Sequence, residues 1–441
     1  MVGIDEYASD FSASRGELNL VGDLMVGTTA LRKAAEKYLP YYEGETKKSH
    51  DVRVSTAVLK NLYMDALRNI SSRPFGRDIV IKGADSLPID NVTRNGVSFQ
   101  EFCRSAFMLS IAAGEGFVLC EFPKTGGIKT LEEMRAEKIQ PYFTKVNPLS
   151  VLDYIEENGQ CSLFRVATTR MEIVDFKKGY VDQVTVYRTG QIDVWEKDKD
   201  EKWFLRESIE TGLNFVPVTR IAIGEEVDGC RPVSPLIDCA YAQIEHYQMG
   251  VALRNNLDMT AYPMLAGQGL AASGESVPTG PGAVLYTGSH DGRWELLEPN
   301  GASYKSLQER LNAIEREIMI LGLQPLLPQA GNIAALVGEI QASKAHAAIK
   351  AWSITLEERM EQMLMQMSAW LDINNDIEVS IDTDFGLSES AMSEVSQLLV
   401  AFKEGAIDSN SLLSELTKRN FVNGAKAPAA RPQPAGVSSK S

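Results

Sequence analysis

Histidine is almost missing from this chain. Four residues, His50, His246, His290 and His346, lie far apart along 441 positions, so an imidazole-based metal or nucleophile centre is not expected. Cysteine is scarce as well. Its five residues (Cys103, Cys120, Cys161, Cys230 and Cys239) are odd in number and never spaced CxxC, which points to unpaired thiols in a reducing compartment. There is no P-loop, no GxSxG and no HExxH, the short motifs that would announce phosphate, acyl or zinc chemistry. Cations are in deficit: 44 Lys and Arg against 59 Asp and Glu leave a net charge of −15. That argues against a protein that grips duplex DNA, because such affinity comes from Lys and Arg on phosphates. It is compatible with a wall along which DNA slides, where strong basic sites would hold the duplex at each step. Long apolar runs are also lacking. The 21 uncharged residues between Glu317 and Glu339 reach spanning length, but Gln324, Pro325, Pro328, Gln329, Gly331 and Asn332 interrupt them, and unsatisfied backbone is prohibitive in lipid. No membrane helix is expected, and Met1–Glu6, neither basic nor apolar, gives no sign of a secretory signal.

What is present is ordinary globular material, 44% apolar and 23% charged, in a chain long enough for two or three subdomains. Residues 1–24 are polar and read as a loosely held arm. Helices are expected over Thr28–Tyr42 and Val52–Ile70, the latter with Val54, Val58, Tyr63, Leu67 and Ile70 as apolar marks, followed by a short strand at Asp78–Ile81. Ser98 with Glu101 three residues on has capping-box spacing for a helix carrying Phe102, Ala106 and Leu109. Gly116–Phe122 reads as a buried strand. From residue 140 to 223 the period shifts toward two: Tyr142–Val146, Ser162–Val166, Val184–Tyr187, Ile192–Trp195 and Trp203–Leu205, parted by Asn158-Gly159, Thr189-Gly190 and a charged 197–202 turn. This is the pattern of an antiparallel meander, and the fold class is α+β.

The most informative region is 234–371. Ser234-Pro235 opens a helix, a side-chain cap followed by a proline whose missing N–H costs nothing there. Leu236, Ala240, Ile244, Tyr247 and Val251 share one of its faces as it runs toward Pro263. A Gly/Ser/Pro-rich excursion follows, with strand candidates at Ala283–Tyr286 and Trp294–Leu296. A second helix bears Leu307, Leu311, Ile314, Ile318 and Leu321 at spacings of 4, 3, 4 and 3 and stops at Gly322. Two prolines keep the uncharged segment 323–332 out of regular structure. Then a proline-free stretch from Gly338 to Leu371 places Ile349, Trp352, Leu356, Met360, Met363, Met367 and Trp370 on one stripe.

Several smaller patterns have bland explanations. Asp384-Phe385-Gly386 lacks the catalytic and Gly-rich loops that accompany that triplet in kinases. Gly267-Gln268-Gly269 and Gly274 fail dinucleotide spacing and follow a helix rather than a strand. Asp372, Asp376, Asp382 and Asp384 have no glycine at the EF-hand position and read as a solvated rim. Met360, Met363, Met365 and Met367 are most simply core filling. Ala342, Ala345, Ala347, Ala348 and Ala351 make the last helix slim, for close approach of a neighbour or from plain helix propensity.

Four runs carry a resemblance. Val227-Asp228-Gly229-Cys230-Arg231-Pro232-Val233-Ser234-Pro235-Leu236 is similar to the "DG…SPL" approach to the stem helix of tailed-bacteriophage portal proteins, and Ile320-Leu321-Gly322-Leu323-Gln324-Pro325-Leu326-Leu327 resembles their helix-to-tunnel-loop junction. Ala30 to Pro40 resembles the start of one portal subfamily. Leu398 to Asp408 with Leu412 to Leu416 resembles portal crown helices. The resemblance spans residues 25–423 and implies a portal-type α+β fold: arm 1–24, wing 25–233, first stem helix 234–260, clip 261–303, second stem helix 304–322, tunnel loop 323–337, long wing helix 338–371, crown 372–423 and a disordered tail 424–441.

By the same resemblance the chain would form a homododecameric ring at one capsid vertex of the virion, assembled in the host cytoplasm. It would have no catalytic residue, cofactor or metal. Double-stranded DNA would pass through it without sequence specificity, with the terminase large subunit docking during packaging and the head–tail adaptor afterwards, beside major capsid and scaffold proteins. Gln324, Pro325, Pro328, Gln329, Gly331 and Asn332 would line the tunnel loop. Leu236, Ile244, Tyr247, Leu307, Leu311, Ile314 and Ile318 would pack the stem, and Gly267, Gly274, Arg293 and Trp294 would serve clip docking. Two readings from other classes stand beside this one: a motif-free soluble enzyme, and a non-catalytic scaffold or adaptor whose helical hairpin closes within one chain.

Overall fold

The computed structural model describes residues 3–123, 139–174, 176–198, 200–226, 231–261, 264–268, 292–297, 302–323, 332–383, 400, 402 and 412. The chain divides into two units, Met1–Ile381 and Asp382–Ser441. In the second, Val400, Phe402 and Leu412 have helical backbone, so most of the predicted crown and the whole tail lie outside the described residues.

The first unit mixes helix and sheet. Its expected N-terminal arm is instead a helix, α1 (Ser9–Val26), with Phe11, Leu20, Val21 and Leu24 buried. Sparse apolar residues mask this in the sequence; the helix forms because tertiary contacts cover them. Two further expectations split. Residues 28–38 form α2 (Thr28–Lys33) and α3 (Ala35–Tyr38), broken at Ala34. The predicted helix Val52–Ile70 is α4 (Lys47–Thr56) and α5 (Leu62–Ser72). Between them Ala57 is extended, and Asn61 Oδ1 accepts from Met64 N at 2.9 Å to start α5 afresh. Val58, counted as an apolar mark, is exposed.

Strand β1 (Val80–Lys82) precedes α6 (Phe99–Ala113), whose cap Ser98 accepts from Glu101 N as its spacing predicts. The buried strand β2 (Glu115–Glu121) then runs between β3 (Tyr142–Val146) and β9 (Val218–Ala222). β3 therefore leaves the meander in which its alternation had placed it. The meander itself is five-stranded: β4 (Val151–Glu157), β5 (Gln160–Val174), β6 (Lys177–Arg188), β7 (Gln191–Lys197) and β8 (Trp203–Glu210). β4 was not anticipated. Phe11 of α1 fills the space between the two sheets against Phe117, Val151, Phe164 and Val218, and the Arg231 guanidinium, paired with Glu115, lies over its ring at 3.2 Å.

Three helices complete the unit. α7 (Ile237–Ala261) and α8 (Ala302–Leu321) flank a strand pair, β10 (Met264–Gln268) and β11 (Arg293–Leu297). α9 (Asn332–Trp370) starts six residues earlier than its composition suggested and is about 58 Å long. It lies along β9 and β2, with Trp370 Nε1 donating to Cys120 O and Gln366 Nε2 to Val218 O. Ile349, Leu356, Met360, Met363 and Met367 are buried, but Met365 is exposed and does not fill the core. β12 (Glu378–Ser380), inside the predicted crown, pairs with β1, while Glu361 and Glu357 of α9 accept from Val379 N and Ile381 N.

Candidate functional site

The hairpin made by α7, β10, β11 and α8 is the feature to which most predicted site residues belong. Its first helix is locked at the start: Ser234 Oγ accepts from Leu236 N at 3.1 Å and donates to Ile111 O at the end of α6 at 2.9 Å. The two helices are antiparallel. Cys239 Sγ lies 3.7 Å from Ile318 O, His246 Nε2 3.1 Å from Glu315, Arg310 2.6 Å from Glu245, and Tyr304 Oη donates to Asn256 O at 2.9 Å. The strands carry the same register outward, from Met264↔Leu297 to Gln268↔Arg293. The described parts of this stalk are thus an antiparallel helix pair, Ile237–Ala261 with Ala302–Leu321, and an antiparallel strand pair, Met264–Gln268 with Arg293–Leu297.

Its root is pinned by polar groups. Gln243 Oε1 accepts from Leu62 N and Tyr63 N, and its Nε2 donates to Lys60 O. These are the orphan donors of the first turn of α5, satisfied by a side chain from another helix. Glu315 is shared by Lys60 (2.7 Å) and His246 (3.1 Å). Burial pushes its carboxyl up, but those two partners outweigh this and hold it below the ordinary range. Burial pushes the Cys239 thiol up to about 12, so it behaves as an inert small apolar group. Gly322 ends α8 where backbones crowd: a Cβ there would lie 2.8 Å from both Ala66 Cβ and Ile318 O.

The predicted stem residues differ in burial. Leu236, Tyr247, Ile314 and Ile318 are buried, whereas Ile244, Leu307 and Leu311 are half-buried. On the uncovered faces Tyr241, Leu257 and Ile320 are about half exposed. Of the clip residues, Gly267 and Trp294 are cross-strand partners, and Arg293, at the outer end of β11, is exposed; Gly274 lies outside the described residues. So do Gln324, Pro325, Pro328, Gln329 and Gly331 of the tunnel loop, while Asn332 is the first residue of α9.

His50 and His246, two of the three described histidines, have structural partners. His50 Nε2 lies 2.8 Å from Leu39 O with its ring stacked on Tyr41. His246 serves the stalk root. Among the described residues no group of three or more His, Cys, Asp or Glu could hold a metal ion, and no described helix is long and apolar enough to cross a membrane. Sequence reasoning missed Gln243, the Arg231–Glu115–Arg220 cluster and a cavity at one end of the meander. Each joins residues a hundred or more positions apart or from several elements, so no local pattern marks them.

The profile of a family described as "Domain of unknown function (DUF4055)" matches residues 235–371, from the stalk to the end of α9. No curated protein matches the chain. Among solved structures, the fold is similar to a chain of the virion of a native gene transfer agent (GTA) particle, at 14% identity and TM-score 0.47, covering 81% of this chain and 89% of that one. It is similar to a chain of the neck of an empty GTA particle computed with C6 symmetry, at 12% identity and TM-score 0.46, covering 81% and 90%. A chain in the neck of a native GTA particle computed with C12 symmetry gives 12% identity and TM-score 0.43, covering 80% and 89%.

Proposed function

We propose that this chain is the portal subunit of a tailed-phage-like particle: a ring at one capsid vertex whose stalks surround a channel for double-stranded DNA. The observation that carries this reading is the stalk. A helical hairpin that is rooted by Gln243 and Glu315, leaves Tyr241, Leu257 and Ile320 about half exposed and is joined by a strand pair is suited to stand beside copies of itself. The portal-like runs at both of its junctions support the same assignment. The net charge of −15 suits a conduit rather than a DNA-gripping protein.

The chain's role in this scheme is positional. The stalk helices form the channel wall, the uncharged 323–332 segment lies nearest the duplex, and the strand-pair tip with Arg293 and Trp294 docks first the packaging motor and then the adaptor. ATP is spent by the motor, so no residue of this chain needs to act as acid, base or nucleophile. Native mass spectrometry with negative-stain microscopy of the full-length chain tests the reading. Twelve copies of 48.5 kDa make roughly 580 kDa, and a particle near that mass with a central hole is expected. A monomer at every concentration, with or without scaffold protein, would favour a hairpin that serves within one chain.

A further inference from the structure

The five-stranded meander is uneven in width. β4 pairs with β5 only as far as Val151↔Val166, and β7 with β6 only as far as Gln183↔Glu196. Beyond them β5 and β6 continue as a lone ribbon to Val174↔Lys177. Such a ribbon is marginal in water by itself, yet this one displays its apolar side chains. Met171 and Tyr180, which are cross-strand partners, are exposed, as is Ile173, and Phe176 at the turn is wholly exposed.

The turn chemistry is unusual. Val174 pairs with Lys177 across the turn, and Phe176 within it has φ +62°. Left-handed backbone in two-residue hairpins favours Gly or Asn; the β4–β5 turn of the same sheet has them, Asn158 at φ +53° and Gly159 at φ +77°. A bulky aromatic in that conformation is disfavoured locally. Folding therefore gives no reason for phenylalanine here, and display to a partner does.

The other end of β5 supplies a receptor. A cavity of about 560 Å³ opens there between the β4–β5 turn and α9, lined by Tyr154, Cys161, Phe215 and Met365 together with the polar Asn214 and Gln366. Glu156 and Glu226, both exposed, stand at its rim, with Glu157 next in the turn. Arg220 pairs with both of these rim carboxylates and with Glu115, Arg359 Nη1 donates to Gln362, and Glu157 stands outside that cluster. The arm brings the opposite sign: Lys177 and Lys178, both exposed, follow Phe176 directly. β5 separates the two features by about 45–50 Å of extended strand, so the tip cannot reach its own cavity.

We infer that Phe176 of one copy docks in this cavity of the next, with Lys177 and Lys178 against Glu156, Glu157 and Glu226. The interface joins one end of a sheet to the other end of its neighbour. It is heterologous, the type that closes into rings when the rotation allows. Burying the aromatic supplies an anchor, and the charge pairing selects orientation. The inference rests on the portal reading for closure of the ring, though not for the contact.

A photoreactive benzoyl-phenylalanine in place of Phe176, in mixed isotope-labelled and unlabelled full-length chain, tests it. Crosslinks between differently labelled copies are expected at peptides holding Tyr154, Phe215 or Met365; crosslinks confined to one copy or to other surfaces overturn the contact. Phe176→Gly suits the turn backbone and should leave the melting temperature unchanged or raised. It should increase the concentration for half-assembly by at least about tenfold. Lys177→Glu with Lys178→Glu should weaken assembly similarly, and Glu156→Lys with Glu157→Lys in the same chain should restore it. Rings that form unchanged with Phe176→Gly overturn the docking and leave the portal reading intact. Copies joined at the cavity without any closed ring uphold the docking and count against the portal.

Discussion

Glu196 lies on the meander among Arg170, Gln183 and Arg206. The hydrogen bond from Arg170, aided by the other two partners and opposed by burial, holds its carboxyl at about 2 rather than the ordinary 4.5. A depressed folded value means that its stabilisation is complete above the ordinary range and is lost as pH falls from about 4.5 toward 2. Glu196→Gln should therefore cost about 1–3 kcal/mol at neutral pH, and the gap to the native chain should narrow between pH 4.5 and 2. Thermal melts across that range check it. Gly322 gives a steric counterpart at the stalk root. Gly322→Ala would set a methyl 2.8 Å from Ala66 Cβ and Ile318 O, and overpacking of that kind costs about 1–3 kcal/mol. A melting temperature equal to that of the native chain would show that the junction between α5 and α8 is looser than its distances indicate.

Among elements, the decisive contact is between α5 and α7. Gln243 supplies one acceptor to two N–H groups, those of Leu62 and Tyr63. Gln243→Leu keeps the volume and strands both donors, an expected loss of about 2–4 kcal/mol. Gln243→Glu keeps the acceptor and gives up only the bond to Lys60 O, so urea unfolding should rank it between the native chain and the leucine variant. The break at 57–61 that defines α5 belongs to this same system. Periodicity over 52–70 favours one helix, yet Gln243 and Asn61 together cap a new one, and capping by a distant side chain does not enter any local pattern.

At the scale of the whole molecule, the uncovered stalk faces bear on assembly. Tyr241 and Ile320 stand at matching heights of the antiparallel hairpin, each about half exposed. Tyr241→Lys with Ile320→Asp should leave the melting temperature of the monomer near native while shifting native mass spectra toward small species. If the double variant assembles as the native chain does, these faces lie outside the subunit contact. Net charge of −15 opposes association of like copies, so apolar contact at such faces has to supply the driving force, and added salt should favour the assembled state.

The sequence by itself determined the elements whose causes are local. Ser234-Pro235, the 4-3-4-3 apolar spacing through Ile318, Gly322 and the proline-free run to Leu371 specify the helical stalk and the long helix after it. Period-two alternation with Asn158-Gly159 and Thr189-Gly190 specifies the meander. Only the tertiary structure decided which surfaces meet: α1 between two sheets, β3 beside β2, Gln243 under α5, and a cavity at one end of the sheet whose other end carries Phe176. Backbone preference and side-chain periodicity act over a few residues, so a sequence displays them directly. Strand pairing, satisfaction of buried polar groups and the shape of a cavity depend on residues hundreds of positions apart, and exist only once the chain has folded.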